Sequence, residues 1–156
     1  MNTNLAAYLN DHLAGSVAAL ELIDDLISAS KDESLKQFLS DLKRDIQSDQ
    51  KILEHLIDRA DENESVTRKA AAWVAEKVAR AKFKISGENF GGLGLLQALE
   101  MLVLGIRGKE SLWCAFEQSN ALLAGNVDLA ALKRRAVEQQ QRVEQYRLEA
   151  ARAAFG

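Results

Sequence analysis

Two polar residues lie where the helical periodicity predicts apolar ones, and both have side chains that can bind a proton or a metal. His12 falls within the apolar arc of the first predicted helix, and Asp49 falls within that of the second. A short turn near residues 30–31 makes these helices antiparallel neighbours, so we expect the two side chains to lie opposite each other. An imidazole and a carboxylate are each costly to bury alone and tolerable together. The sequence therefore predicts a buried polar pair between His12 and Asp49.

The same pair is also the start of a candidate metal site. Asp45 lies at the edge of the apolar arc one turn before Asp49, and Glu110 falls within the apolar arc of a later helix. Imidazole together with carboxylates suits iron, manganese or zinc. Metal binding by His12, Asp45, Asp49 and Glu110, in an oxidoreductase or a metal-storage protein with a reduced ligand set, is thus the alternative interpretation. The interpretation that we favour is a structural hydrogen bond and no cofactor.

The sequence does not indicate nucleophilic catalysis. Ser16 lies one turn from His12, and the single Cys114 is distant in sequence, but neither is accompanied by a glycine elbow or an oxyanion loop. The stretch SGENFGG at residues 86–92 lacks the spacing and the lysine of a phosphate-binding loop. We therefore assign no catalytic residue and favour a protein that is not an enzyme.

Composition and periodicity predict a single all-α domain over residues 1–156. Proline is absent, and Ala, Leu, Glu, Gln, Lys and Arg are plentiful, which favours helices. The apolar periodicity predicts helices at about residues 3–29, 33–61, 66–84, 93–118 and 127–156. No strand pattern competes. Short turns after the first and fourth of these helices predict two antiparallel hairpins, joined by a crossover that contains the short helix.

The periodicity also predicts which side chains face the core. On the second helix the predicted inward residues are Leu35, Leu39, Leu42, Ile46, Leu53 and Ile57, with Asp49 among them. On the last helix they are Leu132, Ala136, Val143 and Ala150, with Gln139 among them. On the first helix they are Leu5, Leu9, Leu13, Leu20, Ile23 and Ile27. His55 is predicted to face solvent.

Charged residues of the second hairpin are predicted to form ion pairs. Glu100 shares a narrow polar stripe with Arg107, which indicates the solvent edge of a mostly buried helix. The turn near residue 123 brings Arg107 near Glu138, and Glu100 near Gln145 or Arg142.

Two helical hairpins joined by a long crossover resemble the ferritin-like four-helix bundle. The segments YLNDHLAGS, GLLQALEMLVLGIRGKESLW and RVEQYRLEAARAA are similar to small, uncharacterised bacterial ferritin-like proteins. The resemblance implies a di-iron site with Glu-x-x-His on two helices. This chain departs from that pattern, since Leu9 precedes His12 by three residues, Ile52 precedes His55, and Gln141 follows Glu138. We therefore expect a binding or interaction module without a standard di-iron site, able to form homo-oligomers.

The charge is distributed unevenly along the chain. Residues 1–65 contain 6 Lys and Arg against 14 Asp and Glu, whereas residues 66–90 contain 6 against 2. The overall net charge of −3 argues against nucleic acid as a partner. The basic residues of the predicted crossover helix could contact an acidic surface or complement the acidic first hairpin; they are Arg68, Lys69, Lys77, Arg80, Lys82 and Lys84.

No segment has the features of a membrane span or a signal peptide. The longest apolar stretch, residues 93–106, is interrupted by Gln97 and Glu100. The N-terminal residues lack a basic segment followed by an apolar run. Together with the single cysteine, these features lead us to expect a cytoplasmic protein.

Overall fold

The computed structural model of the protein describes residues 3–60 and 91–156, with side chains for all of these except residues 3 and 120–122. The described part of the chain forms four helices and no strand: α1 (Thr3–Ala29), α2 (Glu33–Ala60), α3 (Gly92–Ala124) and α4 (Leu129–Phe155). The all-α prediction is therefore confirmed for these residues. The helix predicted at about residues 66–84, with the basic residues assigned to it, lies outside them. None of the described helices is both long and apolar enough to cross a membrane.

The turn between α1 and α2 is fixed by side chains that satisfy the exposed backbone groups of α2. Asp32 Oδ1 accepts hydrogen bonds from the backbone N–H of Ser34 at 2.8 Å and of Leu35 at 3.2 Å. Ser30 Oγ accepts one from the N–H of Asp32 at 3.1 Å. These are helix-capping contacts, and they position α2 antiparallel to α1.

The turn between α3 and α4 depends on a glycine. Gly125 has a φ of 59°, in the left-handed region that often follows the last residue of a helix. Asp128 then caps α4, because its side chain accepts a hydrogen bond from the N–H of Ala131 at 2.9 Å. The predicted break at residues 125–126 is confirmed, although α3 extends to Ala124 rather than residue 118.

Replacing Gly125 with Ala is expected to lower the free energy of unfolding by about 1–2 kcal/mol, because a β-carbon is strained at this φ. Urea denaturation followed by far-UV circular dichroism would measure the change. An unchanged midpoint would mean that the turn does not hold this conformation in solution.

Cross-helix contacts give the directions of the helices. Along α2, Ser34 contacts Tyr146, Asp45 contacts Arg142, and Asp49 contacts Arg135 of α4. As residue numbers increase along α2, the residue numbers of the α4 partners decrease. The two helices are therefore antiparallel. Since α3 and α4 form a hairpin, α2 and α3 are parallel. The end of α2 and the start of α3 therefore lie at opposite ends of a four-helix bundle, as a crossover requires.

The core consists of two apolar clusters along the bundle. The first contains Ile23, Leu26, Leu39, Leu42, Ile46, Leu99, Leu102, Ile106, Ala136 and Val143. The second contains Leu9, Leu53, Leu56, Ile57, Leu112, Trp113, Phe116, Leu129 and Leu132. In sequence, Asp49 lies between the α2 residues of the first cluster and the α2 residues of the second. Lys109 lies in the same way between the α3 residues of the two clusters. On α2 and α3, a polar layer therefore lies between the two clusters.

Candidate functional site

The polar layer is centred on Asp49, whose side chain is only 3% exposed. Its Oδ2 accepts a hydrogen bond from Lys109 Nζ at 2.6 Å and one from Gln139 Nε2 at 3.3 Å. Its Oδ1 accepts one from the guanidinium of Arg135. Lys109 Nζ also donates to Gln139 Oε1. Two cations and an amide, from α3 and α4, thus satisfy one buried carboxylate of α2.

Lys109 is the other buried charge of this layer, with a side chain that is 15% exposed. Burial lowers the pKa of the Lys109 ammonium, while the charge and the hydrogen bond of Asp49 act to raise it. Sequence reasoning did not identify this lysine. The sequence did contain an indication, because Lys109 falls on the face of α3 that carries Ile106 and Trp113.

His12 and Asp49 do not form the predicted hydrogen bond within the described part of the chain. Both line the same cavity, but the carboxylate binds Lys109, Arg135 and Gln139 instead. The physical reason is that an ammonium and a guanidinium each carry a full positive charge, so they attract the carboxylate more strongly than a neutral imidazole does. His12 contacts the ring of Tyr8 edge to face, with 4.7 Å between ring centroids.

The other two candidate metal ligands are also paired. Asp45 accepts a hydrogen bond from Arg142 at 2.6 Å. Glu110 accepts one from Arg107 and one from Gln140, each at 2.8 Å. Within residues 3–60 and 91–156, no three His, Cys, Asp or Glu side chains are grouped closely enough to hold a metal ion. The structure therefore does not gather the four candidate ligands into one site.

Arg107 and Glu100 of the second hairpin form ion pairs, but the predicted partners are wrong. Arg107 binds Glu110 one turn along α3 rather than Glu138, and Glu100 binds Arg147 at 3.3 Å. The prediction pairs residues that lie at equal distances in sequence from the turn. It does not include how far long side chains can reach. His55 is exposed, as predicted.

A cavity of about 210 Å³ lies beside the polar layer, between α1, α2 and α3. Most of its lining is apolar, and three glycines in the middle of helices contribute to it: Gly15, Gly105 and Gly108. A β-carbon at any of these positions would meet no neighbouring atom within 4 Å. The cavity therefore exists where glycines leave space between α1 and α3.

Replacing Gly105 with Ala is expected to raise the free energy of unfolding of the ligand-free protein by about 1 kcal/mol. Glycine inside a helix is less favourable than alanine by about this amount, and the added methyl group meets no obstacle here. Thermal denaturation would measure the change. A loss of stability would show that the helices approach each other more closely at this position.

Polar side chains are interspersed in the apolar lining. Ser16 Oγ donates to the backbone carbonyl of Leu13 at 2.7 Å and accepts from Gln50 Nε2 at 2.9 Å. Trp113 is 1% exposed, and its buried indole Nε1–H has no acceptor among the described residues. A buried donor without a partner is unfavourable by about 1–3 kcal/mol, so this N–H lowers the stability of the fold.

The pH dependence of the free energy of unfolding should show whether the His12 imidazole is buried. Burial lowers the pKa of His12 below its ordinary value of 6.5, and the nearby Asp11 opposes this shift. The unfolded chain then binds the proton more readily, so the free energy of unfolding should fall as pH decreases from about 6.5 through the folded pKa. Urea denaturation midpoints are measured at pH 7.5 and at pH 5.5. Between these two pH values, the midpoint of His12→Gln should decrease less than that of the parent protein.

His55→Gln is the matched control for this experiment, because His55 is exposed. Its urea midpoints should show the same pH dependence as those of the parent. An equal pH dependence in His12→Gln would contradict burial of the His12 imidazole.

No model of a known protein family, no curated protein and no solved structure matches the chain.

Proposed function

We propose that this protein is a non-enzymatic binding module, a ferritin-like four-helix bundle that binds a small molecule in the cavity between α1, α2 and α3. The observation that carries the proposal is an apolar cavity of about 210 Å³ whose lining includes the indole of Trp113, with a buried and unpartnered N–H. Small-molecule sites are typically apolar and concave with a few polar groups that fix orientation.

The ferritin-like part of the proposal is supported by the helix directions. Two antiparallel hairpins with α2 parallel to α3 need a connection along the length of the bundle. The residues at the centre do not fit a di-iron centre, however. Lys109 and Arg135 bind the Asp49 carboxylate there, and two cations repel a metal ion at such short range.

The hydrogen bond that the Ser16 hydroxyl group donates in the cavity supports binding rather than catalysis. Ser16 donates its proton to the carbonyl of Leu13, in its own helix, and not to an imidazole. An activated serine would donate to a general base, as in hydrolases with a catalytic triad.

A ligand screen tests the proposal. The purified protein is mixed with acidic, basic and neutral aromatic compounds of one ring, and its thermal midpoint is measured. We expect at least one class to raise the midpoint of the parent protein, because a ligand that binds only the folded state stabilises it. Gly105→Leu and Gly15→Leu, which fill the cavity from different helices, should abolish the effect.

Ala115→Leu is the matched control, because Ala115 is exposed on α3 and does not line the cavity. It should retain the ligand effect. A parent protein that responds to none of the compounds would contradict the proposal. Elemental analysis provides an independent test: a stoichiometric transition metal that is lost in Asp49→Asn would favour the metal-binding alternative.

A further inference from the structure

The exposed side of α3 carries almost no charge. Eleven residues between Leu93 and Ser119 are exposed, and Arg107 is the single charged residue among them. On α2, eleven residues between Glu33 and Arg59 are exposed, and six of them are charged. A helix on the outside of a bundle normally carries charged side chains on the face that meets water. The outer face of α3 therefore has the composition of a face that packs against another surface.

Uncharged residues that recur every three or four positions form a stripe along this outer face. The first half of the stripe has large side chains, since Leu93, Met101 and Leu104 are 56%, 39% and 67% exposed. The second half has small residues, Gly108 and Ser111. A β-carbon at Gly108 would meet no described atom within 4 Å, so there is open space at this position. The stripe thus has a projecting half and a recessed half.

These two halves are complementary to each other in a second, antiparallel copy of α3. When a two-fold axis passes near residue 106, Leu104 of one copy lies over Gly108 of the other, and Met101 lies over Ser111. The Ser111 hydroxyl group donates to the backbone carbonyl of Arg107 at 3.1 Å, so it can be covered without losing its hydrogen bond. The stripe contains no charge, so the pairing brings no like charges together.

The lack of charge on the stripe favours a second copy over another part of the chain. Residues 61–90 contain eleven charged residues, and the stripe has no opposite charge to pair with them. The basic residues among them have a better electrostatic partner in α1, which contains four acidic residues and no lysine or arginine. The uncharged stripe of a second α3 matches this one.

The area of the outer face is sufficient for a weak, reversible dimer. A helix of 33 residues is about 50 Å long and about 10 Å wide, so covering one side of it removes about 500 Å² from each copy. The total of about 1,000 Å² is at the lower limit for a specific protein–protein interface.

We propose that this protein forms a reversible, two-fold symmetric dimer in which the outer faces of two α3 helices pack antiparallel, with Leu104 of each copy over Gly108 of the other. The dimer does not depend on a ligand in the cavity. The inference and the proposed function are therefore tested separately.

Sedimentation equilibrium of the full-length protein at concentrations from about 1 µM to about 1 mM would measure the dimer. We expect the average mass to rise from that of one chain towards that of two. The Kd should change less than about threefold between low and high salt, since no ion pair crosses the stripe. Leu104→Glu places two like charges near the axis and should raise the Kd at least about tenfold. Gln47→Glu is the matched control, because it adds the same charge at an exposed position of α2, and it should leave the Kd unchanged.

A pair of substitutions tests the antiparallel register. Ser111→Met fills the space over which Met101 of the other copy lies, so it should raise the Kd about tenfold. Adding Met101→Ser in the same chain exchanges the large and the small side chain across the axis, and it should restore the Kd of the parent protein.

The thermal midpoint of Leu104→Glu at low protein concentration separates the other occupants of this face. It should equal that of the parent protein, because Leu104 is exposed in the single chain. A parent protein that stays monomeric at every concentration would overturn the inference, and a lowered midpoint of the variant would then show that the chain itself covers the face. A dimer that survives Leu104→Glu, or that the double substitution does not restore, would also overturn it.

Discussion

Replacing Asp49 with Ala is expected to lower the free energy of unfolding by about 3–5 kcal/mol. The substitution leaves the ammonium of Lys109 buried without its carboxylate, and it removes an acceptor from Gln139. Arg135 contributes less to the loss, because its side chain is 40% exposed and can turn towards water. Urea denaturation followed by circular dichroism would measure the change.

Asp45→Ala is the matched control, one turn earlier on the same helix. The Asp45–Arg142 pair is about two-fifths exposed on both sides, so its loss should change stability by less than about 1 kcal/mol. A combined replacement, Asp49→Leu with Lys109→Met and Gln139→Leu, removes the whole buried network and should recover most of the loss. Equal effects of Asp45→Ala and Asp49→Ala would contradict burial of the polar layer.

Replacing Trp113 with Ala is expected to lower the free energy of unfolding by about 3–5 kcal/mol, since the indole is buried in the second apolar cluster. Trp113→Phe should be much less destabilising. It loses part of the packing, but it also removes a buried N–H that has no acceptor among the described residues.

Chemical denaturation of both variants, and of Leu104→Ala as a control, would test this expectation. Leu104 lies on the same helix and is 67% exposed, so its replacement should change stability by about 0.5 kcal/mol or less. A loss in Trp113→Phe as large as that in Trp113→Ala would mean that the indole N–H has a partner.

The amphipathic helices were the predictable part of the fold. All six apolar residues predicted to face inward on α2 are buried, and Asp49 is buried among them. The prediction was less accurate for α1, where Leu5 and Leu13 are only partly buried while Leu26 is fully buried. Because α1 is apolar around much of its circumference, its periodicity does not specify which side faces the core.

The partners of Asp49 could not be predicted from local patterns. The sequence places Asp49 and Gln139 on inward faces, but the contact between them depends on the register of one hairpin against the other. That register is determined by tertiary packing, and the residues that bind the carboxylate most strongly, Lys109 and Arg135, belong to the second hairpin. Lys109 lies on the apolar face of α3, but the half-exposed Arg135 reaches the buried acid with a long side chain, so periodicity alone does not find it.

The contact between Asp49 and Gln139 also brings together equivalent positions of two helices. The buried residues 39, 42, 46, 49 and 53 of α2 recur 90 positions later in α4, at residues 129, 132, 136, 139 and 143. Residues 49 and 139, which are equivalent in this pattern, touch where the two antiparallel helices meet. Aspartate at both positions would bring two like charges together. The amide of Gln139 avoids that repulsion, since it donates to Asp49 and accepts from Lys109, so the polar layer requires the two helices to differ at this position.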